Sequence, residues 1–193
     1  MWCFVLLLFS LHTGAGIHVK DDLGREIILS KPAQRVISLA PHLTEVVYAV
    51  GGGDRMVATV AWSDFPEEAK SLPIIGSNNK INYEALLAYK PDLVLVWRSG
   101  NGENIIQRLS SLGLNVFVNE PRKLDNIPET LHKIGRLLGV DSESEKTIHQ
   151  FRVTLEHLRN RYQQVRKVSV YYQIWQSPLI SFGGKHLVSD VLQ

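Results

Sequence analysis

The segment NYEALLAYKPDLVLVW, residues 82–97, holds a helix, a stop and a strand in direct succession. The Asn82 side chain can accept an orphan amide hydrogen of a first helical turn, so it reads as the N-cap of a helix over Tyr83 to Tyr89. Pro91 stops that helix, because it has no amide hydrogen and disfavours the helical conformation of the residue before it. Leu93 to Val96 is an unbroken aliphatic run without polar alternation, which suits a parallel strand covered on both faces. The run stops at Trp97, and the chain then turns polar through Arg98, Ser99 and Asn101.

The same order recurs on both sides. Met56 to Ala61 is a second apolar run; it stops at Trp62, before Ser63, Asp64, Phe65 and Pro66. Val36 to Leu39 reads as a strand leading into a helix opened by Pro41, with Thr44 and Glu45 as helix-start residues and Glu45 as a first-turn acid. Downstream, a helix from Glu103 to Leu112, a strand from Val116 to Val118 and a helix from about Asp125 to Leu138 follow, with Gly113 and Gly139 as stops. Strands alternating with helices imply right-handed βαβ units, so the fold class is α/β with a mainly parallel sheet. Ligands of such sheets bind beyond the carboxyl ends of the strands. Trp62 and Trp97 sit there, as do Pro41 and His42 between the first strand and its helix. An indole buries about 150–250 Å² at little conformational cost. His42 stands alone, without a histidine at metal-ligand spacing, and reads as a cleft hydrogen bonder rather than a metal ligand.

A different element follows. Ser142 to Val165 contains no glycine or proline, and Asp141 is a plausible N-cap. Ile148, Phe151, Leu155, Leu158, Tyr162 and Val165 form one helical stripe on a rod of about 36 Å. Such a helix is either an ordinary packed helix or a strut between two lobes. Val168 to Trp175 reads as a new strand, and a helix starts near Leu187. The expected division is a signal-peptide-like leader over 1–16, an N-terminal α/β lobe over 17–140 opened by a hairpin, a long connecting helix over 141–166, and over 167–193 the beginning of a second lobe left incomplete.

Several other classes fit the sequence less well. Net charge is +2, with no basic stripe interleaved with aromatics, which argues against nucleic acid. The single cysteine is Cys3, inside the leader, so the mature chain has no disulfide or thiolate metal site. The apolar run Val5 to Leu11 with the small residues after it suits export without a lipid anchor and is too short to span a membrane. An α/β hydrolase or nucleotide-binding enzyme needs a nucleophile–base pair or a phosphate loop after the first strand; Ala40, Pro41 and His42 supply neither.

Three segments carry a resemblance: residues 35–45 (RVISLAPHLTE), residues 62–66 (WSDFP) and residues 82–97. Together they are similar to the cobalamin-binding proteins of bacterial ABC importers, within the helical-backbone class of substrate-binding proteins that also serves haem and iron-siderophores. The resemblance runs from about Asp21 to Gln193. It implies two α/β lobes joined by one long helix, a ligand held between them, and no catalysis. It implies further that Trp62 and Trp97 pack on the corrin, that Trp175 holds the equivalent strand end of the second lobe, and that Glu84 docks on the membrane permease. The expected setting is a soluble periplasmic monomer, with cobalamin as transported ligand rather than cofactor. Haem or a siderophore is the alternative within the class.

Overall fold

The computed structural model describes residues 16–192. The leader reading over 1–16 lies outside them except for Gly16. Ile17–Lys20 (β1) and Glu26–Leu29 (β2) form an antiparallel hairpin. Val36–Ser38 (β3), Pro41–Ala49 (α1) and Met56–Ala58 (β4) open the α/β part. The short pair Gly76–Ser77 (β5) and Lys80–Ile81 (β6) precedes Tyr83–Ala88 (α2), Leu93–Trp97 (β7) and Arg98–Asn101 (α3). Glu103–Ser111 (α4), Val116–Asn119 (β8), Ile127–Leu138 (α5) and Asp141–Tyr162 (α6) follow. Gln173–Trp175 (β9), Ile180–Ser181 (β10) and Leu187–Val191 (α7) complete the order.

The main sheet has four parallel strands in the order β4-β3-β7-β8. Its aliphatic strands are covered on both faces, as the unbroken runs predict. Val36, Leu93, Leu95 and Phe117 point to the core shared with α1, α5 and the hairpin. Ile37, Val94, Val96 and Val118 point to the core shared with α2 and α4. The hairpin is tied down through its turn. The buried Asp21 carboxylate accepts from Leu23 N, Arg25 N and Arg25 Nε, each at 2.9 Å, and from Val118 N at 3.3 Å. Asp22 N donates to Val118 O at 3.0 Å.

Local signals behave as expected in the central segment. Asn82 Oδ1 accepts from Ala85 N at 3.0 Å, and α2 ends before Lys90. Gly139 ends α5 in the left-handed conformation, φ 63°, and any Cβ there would meet Pro32 Cγ at 2.6 Å.

Four boundaries differ from the sequence reading. β4 ends at Ala58 rather than Ala61, because Thr59 pairs outward with the 73–75 segment instead of continuing beside β3. Glu45 is not a first-turn acid: α1 starts at Pro41, which puts Glu45 in its second turn. α6 includes Asp141 and ends at Tyr162, because Val140 N bonds Gly135 O at 2.9 Å and the chain turns straight from α5 into α6. The strand expected over 168–175 shrinks to β9, which pairs only with β10; Val168, Val170 and Tyr171 have no ladder partner among the described residues.

α6 uses only the first part of its apolar stripe. Ser144 and Ile148 are buried against α5, and Gly135 lets the two helices touch: a Cβ there would stand 2.5 Å from Ser144 Oγ. Leu158 and Tyr162, further along, are exposed.

Candidate ligand-binding cleft

A cleft of about 870 Å³ lies beyond the carboxyl ends of β7 and β8. The first turns of α1 form one side, α5 and the start of α6 another, and residues 183–187 stand opposite. Phe65, Trp97, Ile127, Leu131 and Phe151 give it an apolar wall, while Glu45, Ser99, Glu120, Arg122 and Lys185 make its polar part.

Trp97 is held in place by its own chain. Its amide donates to Asn101 Oδ1 at 2.7 Å. Asn101 is buried, and its Nδ2 donates to Leu39 O at 2.8 Å and Asn78 O at 2.6 Å, so one amide links the ends of β3 and β7 to the β5–β6 turn. The indole lies on the backbone of Gly100, where a Cβ would come within 1.9 Å of Cε3. His42 meets Trp97 edge to face, with centroids 5.4 Å apart and planes at 90°.

His42 is half-buried, and its Nε2 is shielded from solvent without a hydrogen-bond partner. Burial pulls its proton affinity below the ordinary histidine value; the Asn119 side chain and the Glu120 carboxylate oppose this only in part. The ring is therefore neutral at neutral pH. Glu120 accepts from Ser99 N at 2.9 Å and from the Ser99 hydroxyl, and lies 3.5 Å from Arg122. Beneath the cleft, the buried hydroxyls of Ser38, Thr44, Thr59 and Ser63 form a chain of hydrogen bonds, which gives Thr44 a structural place.

Of the residues singled out from sequence, His42 and Trp97 come together on the cleft wall. Pro41 opens α1 behind them, half-buried and off the wall. Trp62 is 84% exposed, in a left-handed conformation (φ 71°), and does not line the cleft. Its neighbour Phe65 does. Trp175 ends β9, exposed and off the wall, with Nε1 donating to Ser177 O at 3.1 Å. Glu84 is exposed on α2 and forms no ion pair among the described residues. Sequence reading did not find Gly100, Asn101, Asn119 or Glu120. Only the polar turn after Trp97 pointed toward the first two.

The arrangement suits binding. A broad apolar wall, one neutral imidazole and a few hydrogen-bonding groups can orient a large ligand. No group of three or more potential metal ligands occurs among the described residues.

A family model described as "Periplasmic binding protein" matches residues 36–193. The chain belongs to the periplasmic binding protein family. This is a family of transport components, not enzymes. Vitamin B12-binding proteins of Yersinia pestis (strain Pestoides F) and of Yersinia pseudotuberculosis serotype O:1b (strain IP 31758) are each 39% identical to it over 168 residues, 86% of this chain. The chain spans about 60% of the length of these curated relatives. Among solved structures, the periplasmic vitamin B12 binding protein of Vibrio cholerae superposes with a TM-score of 0.79 at 34% identity, covering 83% of this chain and 63% of that one. A periplasmic heme binding protein from Pseudomonas aeruginosa superposes with a TM-score of 0.61 at 26% identity, covering 66% of this chain and 46% of the other. The fold is thus that part of the periplasmic binding protein architecture which holds a parallel sheet and the long helix.

Proposed function

We propose that this chain forms the corrinoid-binding wall of a periplasmic substrate-binding protein that delivers vitamin B12 to the permease of an ABC transporter. The observation that carries this reading is Trp97, braced by Gly100 and Asn101 and presented over an apolar cleft at the carboxyl end of the sheet. A corrin is broad, flat and mostly apolar, and a braced indole loses little conformational freedom on stacking against it. The named ligand of the Yersinia and Vibrio relatives supports the same chemistry.

In this reading Trp97 stacks on the corrin, His42 bonds its polar edge, and Pro41 shapes the helix start beside it. The exposed Trp62 and Trp175 fold onto the ligand from the rim. Two lobes joined by α6 enclose the ligand, with residues 17–140 as the first lobe, 141–166 as the connector and the segment from 167 onward as the start of the second. Glu84, exposed on α2, docks on permease cations; such pairs mainly set orientation and association rate. The protein works as a monomer, and B12 is cargo rather than cofactor.

The haem reading draws on the Pseudomonas structure. The shielded Nε2 of His42 counts against iron ligation through that nitrogen. The two readings separate in equilibrium dialysis of the purified chain against cyanocobalamin, with hemin and a ferric chelate as competitors. Retained cyanocobalamin that hemin does not displace is the expected result. Displacement by stoichiometric hemin, or no retention of cyanocobalamin at all, refutes the proposal.

A further inference from the structure

The first turn of α7 takes its acceptor from a ring. Val188 N, which has no partner within the helix, donates to His186 Nδ1 at 3.2 Å. A ring carbon cannot accept there, so the imidazole is turned with Nδ1 toward the helix and Nε2 away from it. Nδ1 carries no hydrogen while it accepts, so the ring's one hydrogen sits on Nε2. The ring is fixed from other sides as well. His186 N donates to Gly183 O at 3.0 Å, and Phe182 stacks on the imidazole with centroids 3.8 Å apart and planes at 19°. Tyr172 stacks on Phe182 in turn, at 5.7 Å. Further along α7, Asp190 Oδ2 accepts from Leu124 N at 2.7 Å, which ties the helix to the chain entering α5. So held, His186 lines the cleft beside Lys185 and Leu187. Its Nε2 has no hydrogen-bond partner among the described residues, yet it is not one of the atoms shielded from solvent.

We propose that His186 contacts the ligand: its Nε2–H donates a hydrogen bond to a carbonyl oxygen on the ligand's edge, and the ring does not ligate the ligand's metal. Capping alone does not account for a histidine here, since serine, asparagine and aspartate are the preferred N-caps. The cap uses Nδ1 and leaves an oriented donor free on the cleft side. Histidines that ligate metals are arranged the other way round, with the second ring nitrogen donating; a ring whose Nδ1 accepts has no lone pair left on Nε2 for a metal. This deepens the corrinoid reading and rests on it. Carboxamides surround the corrin edge, and their carbonyl oxygens accept hydrogen bonds. Trp97 then meets the face of the macrocycle and His186 its edge, with Phe182 as the positioning residue.

Cap and donor separate by substitution. His186→Ser keeps a capping oxygen but ends too near the backbone to reach the ligand; His186→Ala loses both. In hydrogen exchange, the Val188 amide should open about fivefold faster in His186→Ala, the usual worth of a cap, and be little changed in His186→Ser. Retention of cyanocobalamin in dialysis should fall about tenfold in both variants, the size of one net hydrogen bond. Long-range ¹H–¹⁵N spectra, with His186→Ser assigning the signals, should show the hydrogen on Nε2 in the free chain. Saturating cyanocobalamin should move that Nε2–H signal downfield and slow its exchange with water, which mere loss of contact area would not do. Diaquocobinamide, whose cobalt has exchangeable water on both faces, should show no visible-spectrum change that depends on His186. A hydrogen on Nδ1, an Nε2–H signal indifferent to the ligand, or a cobalt spectrum altered by native chain and not by His186→Ser overturns the proposal. If Nε2–H is seen but cyanocobalamin is not retained by the native chain, the corrinoid reading itself falls, and the ligand contact falls with it.

Discussion

Replacing Gly100 by alanine drives the cleft's main aromatic out of place without altering Trp97 itself. The new Cβ would stand 1.9 Å from Cε3, 2.3 Å from Cζ3 and 2.7 Å from Cδ2 of Trp97. Relaxed carbon contacts are about 3.5–4.0 Å, so the indole must retreat by roughly 1.5–2 Å. Its backbone cannot follow freely, since Trp97 N is bonded to the buried Asn101 at 2.7 Å. Overpacking of this kind costs about 1–3 kcal/mol. Alanine recovers about 0.5–1 kcal/mol over glycine in a helical position, so the net loss of stability is about 0–2.5 kcal/mol. That corresponds to a fall in Tm of no more than about 10 °C for a domain of this size. Binding should suffer more than stability: dialysis against cyanocobalamin should show at least about a tenfold loss, the equivalent of about 1.4 kcal/mol in stacking. A double-mutant cycle isolates the cause. In a Trp97→Leu background, Gly100→Ala should cost little stability, because the clashing ring is gone. Unchanged binding in Gly100→Ala, or an equal stability cost in the Trp97→Leu background, would refute this account of how Trp97 is braced.

Asn101→Ala removes three hydrogen bonds from a buried side chain and should lower stability by about 2–4 kcal/mol in urea unfolding; a loss below about 0.5 kcal/mol would show that the strand ends do not depend on it. His42 has a folded-state proton affinity below its ordinary value of 6.5, so the unfolded chain takes up its proton first. Its neutral state contributes stability that is complete above about pH 6.5 and is lost as pH falls through the folded value; the native chain should lose more stability than His42→Gln between pH 7.5 and pH 5, measured by urea unfolding at both. Glu84 sits in the first turn of α2, so Glu84→Ala should cost no more than about 1 kcal/mol from the helix dipole and leave cyanocobalamin retention intact. Permease binding should weaken in the same variant, and unaltered binding in a pull-down would remove Glu84 from the docking surface.

The parts of this fold legible in the sequence are those set by neighbouring residues. Asn82, Pro91 and the run from Leu93 to Val96 act within a few positions of one another, and the helix, stop and strand follow. The fate of the two tryptophans was not legible. Trp62 and Trp97 each follow an apolar run, yet one is exposed and the other packs. The difference is tertiary: β7 has neighbours on both sides and Asn101 bonding back to it, while β4 is at the end of the strand order and its chain leaves after Ala58. Asn119 escaped notice for the same reason. Its meaning depends on Asp22, 97 residues earlier, which the hairpin turn carries to the end of β8. The stripe on α6 was legible as a periodicity as far as Tyr162, while Val165 lies beyond the helix. Which of its residues are buried depends on what packs there, and that no helical period records.

The hairpin turn has a consequence for how far the sheet can extend. Along β8, Asp21 and Asp22 occupy the groups of Val118 that would receive another strand. Along β4, Thr59 is bonded on its outer side to Pro73 and Ile75, both at 2.9 Å. Free edges are where sheets accept further strands, from the same chain or from another. Here Val118 and Thr59 are already engaged on their outer sides, so a later strand cannot pair with either of them. β9 and β10 pair with each other instead and found a separate sheet. That these last strands stand apart from the four-stranded sheet is therefore anticipated before α6 begins, by two aspartates in a turn and one threonine past the end of a strand.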